Sequence, residues 1–264
     1  MSLTSSRLLE EIYSRYNKRE YVHPDPLEFL YNFPEVEDRE IAGLVASGLA
    51  YGRVSQILKA VEKVLVFTGP SPSEFLRNTV FSDVKAGLSE FKYRFTGGNE
   101  MAAFLVSLSS LQKENGLIGN YLAGLVDTMP YIQALDTFAG EVVNRMEKLG
   151  TSSGHLLPRP SRGSACKRLH LFMRWMVRQD EVDPGGWSMI PPSELVVPVD
   201  VHMHRMGKHL GFTSRKTADA RTAAEITGGF KELCPDDPVK YDFALTRFGI
   251  QQLTDSELFK ELLG

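Results

Sequence analysis

Apolar residues recur at three- and four-residue intervals along most of the chain, which is the spacing of a helix that buries one face. The first segment shows it with Leu8, Leu9, Ile12 and Tyr16, and a second helix is predicted to begin near Glu37. Further helices are predicted at about 57–65, 73–78, 80–90, 99–112, 116–126, 131–148, 164–178, 201–211, 218–233 and 237–252. The only strand-like run, residues 196–199, is short. The pattern predicts an all-α fold.

Proline- and glycine-containing breaks divide this helical pattern into groups. His23-Pro-Asp-Pro ends the first segment, because a residue before proline is pushed out of the α region. The stretches 151–163 and 180–192 are rich in Pro, Gly and Ser, which is typical of irregular connections. We expect one helical subdomain over residues 35–180. We expect a second over residues 190–264, with the N-terminal helix of residues 1–34 packed against it.

The composition describes an ordinary globular chain of 264 residues, 42% hydrophobic and 24% charged. Two cysteines are too few for a disulfide framework or a four-cysteine iron–sulfur site. The apolar runs are too short to span a membrane, and the N-terminus has acidic residues where a signal peptide needs an apolar stretch. We therefore expect a cytoplasmic protein without a membrane partner.

The charge of the chain is unevenly distributed. Residues 155–221 contain eleven Lys or Arg against six Asp or Glu, a balance of +5, although the whole chain carries −3. The remainder must then carry −8. This asymmetry is compatible with a solvated helical face, and it also suits a surface that meets a polyanion.

Lys167 is the first candidate for chemistry, because it falls in the first turn of a predicted helix. The positive end of the helix dipole and the neighbouring Arg162 and Arg168 disfavour an ammonium there. A lysine whose charged form is disfavoured is a better amine nucleophile at neutral pH. A first-turn lysine that only points into water is the alternative interpretation.

Asp200 is the second candidate, between Pro198 and the helix predicted from Val201. Aspartate is a preferred N-cap, and a capping carboxylate is also held rigidly. His202 and His204 follow, so a metal-dependent hydrolase using Asp200, His202 and His204 is an alternative. On a helix, residues two apart do not face each other, which disfavours that alternative.

Two segments resemble the helix-hairpin-helix DNA glycosylases such as endonuclease III. Gly163-Ser-Ala-Cys-Lys167-Arg-Leu-His is similar to the hairpin and second helix that carry the catalytic lysine of that family. Pro198-Val-Asp200-Val-His-Met-His-Arg205 is similar to the later segment that carries its catalytic aspartate. The interval of 33 residues between Lys167 and Asp200 is longer than in the commonest members of the family. In this the chain resembles the archaeal 8-oxoguanine glycosylase branch, which has a longer connection and a degenerate hairpin. The chain also resembles a bacterial family of unassigned function through Arg159-Pro-Ser-Arg-Gly-Ser and the residues that follow it.

A third segment, Ala46 to Val54, is similar to the family segment that offers a duplex-wedging glutamine, and Tyr51 stands at that place here. The resemblance implies a two-subdomain glycosylase-like fold with a degenerate hairpin element. It also implies a bifunctional DNA glycosylase and abasic-site lyase without a cofactor, in which Lys167 forms a Schiff base and Asp200 assists. The expected partner is double-stranded DNA with a damaged base, for which the branch resemblance suggests 8-oxoguanine, bound by a monomer at the nucleoid.

The resemblance and the local charge together give two sets of candidate contacts. The expected DNA-binding residues are Arg159, Arg162, Gly163, Ser164, Arg168, His202, His204 and Arg205. The expected base-pocket or wedge residues are Tyr51, Arg53, Trp187 and Asp242. A non-catalytic nucleic-acid-binding protein of the same fold remains an alternative to the enzyme.

Overall fold

The structure is a computed structural model, which describes residues 3–151 and 154–250 and, for residues 3–5, 249 and 250, the backbone alone. Across these ranges the chain is all-α apart from one short hairpin. The helices in chain order are α1 (Leu3–Tyr16), α2 (Val36–Gly48), α3 (Val54–Thr68), α4 (Pro72–Asn78), α5 (Phe81–Gly87), α6 (Gly98–Asn115), α7 (Ile118–Val126), α8 (Tyr131–Lys148), α9 (Lys167–Val177), α10 (Val201–His209), α11 (Ala220–Leu233) and α12 (Asp242–Ile250). The strands are β1 (Lys92–Tyr93) and β2 (Thr96–Gly97).

The described residues form two compact units, which we call the terminal unit and the central unit. Of the described residues, the terminal unit contains 3–23, 163–185 and 191–250, and the central unit contains 24–151, 154–162 and 186–190. The sequence pattern had predicted a different grouping, with residues 35–180 in one subdomain. Residues 163–180 belong to the terminal unit because α9 contributes buried arginines that pair with carboxylates from the C-terminal segments.

The terminal unit is built around α1, whose apolar face packs on α12. Leu8, Leu9 and Ile12 are buried as their helical spacing predicts. The ring of Tyr16 lies 5.7 Å from that of Phe248, which links the first helix to the last described one. Helix α1 therefore packs on α12, whereas residues 24–34, which were grouped with it in the sequence analysis, belong to the central unit.

The central unit consists of α2–α8, with α2 and α6 almost wholly buried. Helix α8 spans the predicted residues 131–148, and α4 and α7 differ from their predicted ranges by a residue or two. Strands β1 and β2 were not predicted, because two paired residues on each side give no detectable alternation. They pair antiparallel, with Lys92 opposite Gly97 and Tyr93 opposite Thr96.

Two further findings concern the ends of elements. The last helix was expected to begin at Asp237, whereas α12 begins at Asp242. The Asp237 carboxylate instead accepts a hydrogen bond from Nε of Arg178 at 2.9 Å, so it does not cap a helix. The predicted helix end at 252 and residues 251–264 of the predicted C-terminal subdomain lie outside the described residues.

Within the described ranges, none of the helices combines the length and apolarity that crossing a bilayer requires.

Candidate active site: a lysine–aspartate pair at two helix starts

Lys167 is the first residue of α9, as the sequence analysis expected. The preceding turn is unusual, because Gly163 has φ +77° and Cys166, the N-cap, has φ +45°. A non-glycine residue in the left-handed region costs energy and persists only where its surroundings enforce it. The amide N–H of Cys166 donates to the Ser164 hydroxyl, which holds the turn closed. This turn fixes where Lys167 emerges.

The same turn is attached to a second segment of the terminal unit. Ser164 forms an isolated β-bridge with Asp219, and the amide N–H of Ala220 donates to the Gly163 carbonyl oxygen at 3.1 Å. Asp219 is itself the N-cap of α11 and accepts from the amide of Thr222. The turn that precedes Lys167 is therefore braced by the start of another helix.

Asp200 is the N-cap of α10 and lies beside Lys167. Its Oδ1 accepts hydrogen bonds from the amides of His202 and Met203, both at 2.9 Å. Its Oδ2 accepts from Nζ of Lys167 at 2.8 Å. The structure thus brings together the two residues proposed for catalysis, and one carboxylate both caps a helix and holds the lysine.

The electrostatics of the pair favour an ionised Asp200. Burial raises the pKa of the Asp200 carboxyl, but the Lys167 ammonium and the hydrogen bonds from Lys167 and Met203 outweigh it, so that the pKa lies below its usual value. An ionised carboxylate of lowered pKa is a weak proton acceptor and a good stabiliser of positive charge. The side chain of Lys167 is 37% exposed and that of Asp200 18%, so the pair can be reached from solvent.

A buried network of ion pairs supports α9 behind the pair. Arg174 pairs with Asp183 at 3.1 Å and with Asp242, and Arg178 pairs with Asp180, Asp183 and Asp237. Breaking a buried pair by removing one partner leaves an uncompensated charge, which is strongly destabilising. We infer that this network fixes the orientation of the helix that carries Lys167.

Asp242 was expected in a base-reading pocket, and the structure does not support that assignment. Its carboxylate is buried and pairs with the Arg174 guanidinium, so it is engaged in holding α9. Burial raises its pKa to about 6 against the opposing effect of Arg174, while Asp200 raises it further and Lys167 lowers it. Asp242 therefore interacts electrostatically with Lys167 and Asp200, but its carboxylate is buried.

Several of the expected DNA-binding residues are accessible. Arg162, Gly163, Ser164, His202 and Arg205 are exposed, and Arg168 is partly exposed. Four of these six flank the catalytic candidates directly in the terminal unit, at the starts of α9 and α10. The N-cap of α9, Cys166, makes no side-chain capping hydrogen bond.

Arg159 was also expected to bind phosphate, but it is engaged within the central unit. Its guanidinium donates to the Asp136 carboxylate, and this hydrogen bond together with that from Ser161 holds the pKa of Asp136 at about 2. The same guanidinium lies against Gly140, where a side chain would meet it. The Arg159 side chain is nevertheless 38% exposed, so its expected contact with phosphate stays a prediction.

Trp187 was expected to wedge or stack on an extruded base, and its position rules this out. It is 1% exposed, and its indole packs so closely on Gly119 that a Cβ there would lie 2.7 Å away. Its Nε1 donates at 2.8 Å to Glu40, which also accepts from Gln112 and from the amides of Ile118 and Gly119. Trp187 is part of the core of the central unit.

Tyr51 and Arg53, the remaining wedge candidates, lie in the turn between α2 and α3. Arg53 is exposed. Tyr51 is half-buried and its hydroxyl is 2.9 Å from the Thr96 hydroxyl in β2. A side chain held in this way supports the hairpin and does not project, so Tyr51 is not a wedge. The residue that does project is Phe95, which the sequence analysis missed because the hairpin gave no signal.

The histidines do not form a metal site with Asp200. Nε2 of His204 lies 3.0 Å from the Arg215 carbonyl oxygen, so this nitrogen must donate a proton and cannot also ligate a metal. His202 is exposed, and both oxygens of Asp200 already accept hydrogen bonds. In residues 3–151 and 154–250, no three His, Cys, Asp or Glu side chains come together as a metal-binding group. The geometry therefore does not favour the metal-dependent hydrolase.

The fold and site define an all-α protein with an accessible lysine–aspartate pair at two helix starts. A family model described as "Protein of unknown function (DUF2400)" matches residues 25–251. This match covers most of the chain, so the protein belongs to that family. Comparisons with curated proteins and with solved structures give no match.

Proposed function

We propose that the protein is a base-excision repair DNA glycosylase with abasic-site lyase activity, related in fold to the helix-hairpin-helix glycosylases. The observation that carries this proposal is the 2.8 Å contact between Nζ of Lys167 and Oδ2 of Asp200. An amine nucleophile beside a rigid carboxylate is what glycosidic bond cleavage through a Schiff base requires.

In the proposed reaction the damaged nucleotide leaves the duplex, because an enzyme cannot reach the glycosidic bond inside it. Lys167, which is reached by solvent, first gives up a proton to water and then attacks C1′ of the sugar. The glycosidic bond breaks, and its electron pair leaves with the base, which takes up a proton. The ionised Asp200 carboxylate stabilises the positive charge that develops on the sugar.

The C1′–O4′ bond of the sugar then breaks, and O4′ takes up a proton that the attacking nitrogen loses, which gives a protonated imine between Nζ of Lys167 and C1′. Loss of a proton from C2′ then expels the 3′ phosphate by β-elimination, which nicks the strand. Water hydrolyses the imine and releases Lys167. This sequence involves no net oxidation or reduction and therefore needs no redox partner.

The proposed partner is double-stranded DNA with a damaged base, and 8-oxoguanine is the first lesion to test because of the branch that the sequence resembles. Arg168 and Arg205 of the terminal unit would hold phosphates and so position the strand. We propose that a monomer works in this way on chromosomal DNA at the nucleoid.

The experiment is borohydride trapping on duplexes that carry 8-oxoguanine, uracil, thymine glycol or an abasic site. Borohydride reduces an imine to a stable amine, so the adduct survives denaturing electrophoresis. The Lys167→Gln variant should form no adduct. The matched control is Lys216→Gln, which removes the same charge from an exposed position in the same unit. Arg174 is unsuitable as a control, because its buried guanidinium holds α9 in place.

The outcomes separate the proposed enzyme from its alternative. An adduct that is lost in Lys167→Gln and kept in Lys216→Gln supports the mechanism, and the trapped duplex identifies the lesion. Salt-dependent DNA binding without an adduct on any substrate would favour a non-catalytic nucleic-acid-binding protein. Absence of DNA binding would mean that the chain resembles the glycosylases in fold but not in function.

A further inference from the structure

The tip of the β1–β2 hairpin exposes a large aromatic side chain. Phe95 is 79% exposed, although it follows Tyr93 and precedes Thr96, both of which are buried. Isolated exposed apolar residues are common and need no explanation by themselves. The surroundings of Phe95 are what distinguish it.

The hairpin is held rigidly against the central unit. The Thr96 hydroxyl lies 2.9 Å from the Tyr51 hydroxyl and 2.8 Å from Nε2 of His155. The Tyr93 hydroxyl donates to the Tyr51 carbonyl oxygen, and the two rings lie 5.1 Å apart. Phe95 is therefore an exposed aromatic ring on a firm base, which suits a contact that must lose little conformational entropy on binding.

The residue before it is strained. Arg94 has φ +50°, one of two non-glycine residues with positive φ among those that the structure describes; the other is Cys166 beside Lys167. The Arg94 guanidinium lies over Gly52, whose φ of +103° and missing side chain make room for it. This arrangement brings Arg94 next to the turn that contains Arg53.

The tip is also positively charged. Lys92, Arg94 and Arg53 are all exposed, and they lie in the hairpin or in the turn that it covers. Exposed cations around an aromatic ring form the combination that binds single-stranded nucleic acid, since the cations follow the phosphates and the ring stacks on a base.

We propose that this hairpin tip, formed by Arg53, Lys92, Arg94 and Phe95, binds nucleic acid by stacking Phe95 on an unpaired base. This proposal rests on the proposed function only because both name nucleic acid as the partner. It does not depend on the chemistry of Lys167. The tip prefers a strand with unpaired bases, because the face of a base in a continuous duplex is already covered by its neighbours.

The test is the binding of a fluorescently labelled single-stranded decanucleotide and of the matching blunt duplex to the full chain, followed by anisotropy. Phe95→Ala should weaken binding of the single strand about tenfold, since one base–aromatic stack is lost. Phe95→Trp should retain binding. Lys92→Gln should instead lower the salt dependence, because a phosphate contact is lost. The control is Val66→Ala, which truncates another exposed apolar side chain of the same unit.

The outcomes distinguish this proposal from the glycosylase proposal. The first outcome is that Phe95→Ala, but not Val66→Ala, weakens single-strand binding while the trapping experiment gives no adduct on Lys167. This outcome would support the role of the tip and reject the enzyme. An adduct on Lys167 with unchanged binding in Phe95→Ala would reject the tip and keep the enzyme. Equal losses in Phe95→Ala and Val66→Ala, or no single-strand binding at all, would also overturn the tip.

Discussion

His170 lies one turn after Lys167 in α9 and makes the fold sensitive to acid. Its side chain is buried, and among the described residues its Nδ1 has no hydrogen-bond partner. Burial lowers the pKa of its imidazole to about 4, whereas a histidine in an unfolded chain titrates at about 6.5. As the pH falls, the unfolded chain therefore takes up a proton before the folded protein does.

The sign and size of the effect follow from linkage. The stability contributed by the neutral, buried imidazole is fully present above about pH 6.5 and is lost as the pH falls toward 4. From these two pKa values, the free energy of unfolding should fall by about 2 kcal/mol between pH 7 and pH 5 through His170 alone. Asp242, whose pKa is raised to about 6, contributes the opposite slope, so only a comparison of variants isolates His170.

The assay is urea unfolding of the wild type and of His170→Gln at the two pH values, followed by circular dichroism. The wild type should lose about 2 kcal/mol more than the variant on acidification, because the variant has no proton to take up there. Since Asp242 is common to both proteins, its contribution cancels. His170→Asn should reproduce the difference if charge and not packing is the cause. Parallel loss of stability in the wild type and both variants would refute the reasoning.

Three further predictions follow from the contacts. The Glu40 carboxylate accepts four hydrogen bonds, and in Glu40→Gln the side-chain NH2 group would meet one or more of these donors with a donor of its own. Glu40→Gln should therefore lower the free energy of unfolding in urea by on the order of 2 kcal/mol. Asp200→Asn should keep the α10 cap yet lose borohydride trapping, whereas Asp200→Ala should also lose the cap and with it about 1 kcal/mol of stability; equal trapping in all three proteins would reject the role of its charge. Asp136→Asn should flatten the loss of melting temperature between about pH 4 and pH 2, since the low pKa of Asp136 stabilises the fold above that window; an unchanged acid profile would count against this.

The all-α fold and the Lys167–Asp200 pair could be predicted from the sequence because both depend on local signals. The 3.6-residue apolar period marks helices wherever one face is buried, and Asp200 before Val201 is a capping signal that needs no distant partner. Lys167 therefore lies at the start of α9, and Asp200 lies at the start of α10. The resemblance to the glycosylases, and not the spacing of 33 residues, predicted that the two would face each other across a cleft between subdomains, whereas both lie in the terminal unit.

The misassigned residues depend on distant partners that no local pattern shows. Trp187 looked available as a stacking residue because nothing nearby in the sequence indicates that Glu40, 147 positions earlier, receives its indole N–H. Asp242 likewise pairs with Arg174 in another element. Phe95 was missed for the opposite reason, since a hairpin of two residue pairs is too short to produce alternation.

The most direct test of the central claim is peptide mapping of the borohydride-reduced protein–DNA adduct by mass spectrometry. The account predicts that the residual sugar is attached to the peptide that contains Lys167, at Nζ, with no other lysine modified to a comparable extent. Attachment at the N-terminal amine or at an exposed lysine such as Lys208, with Lys167 unmodified, would contradict the claim that Lys167 is the nucleophile.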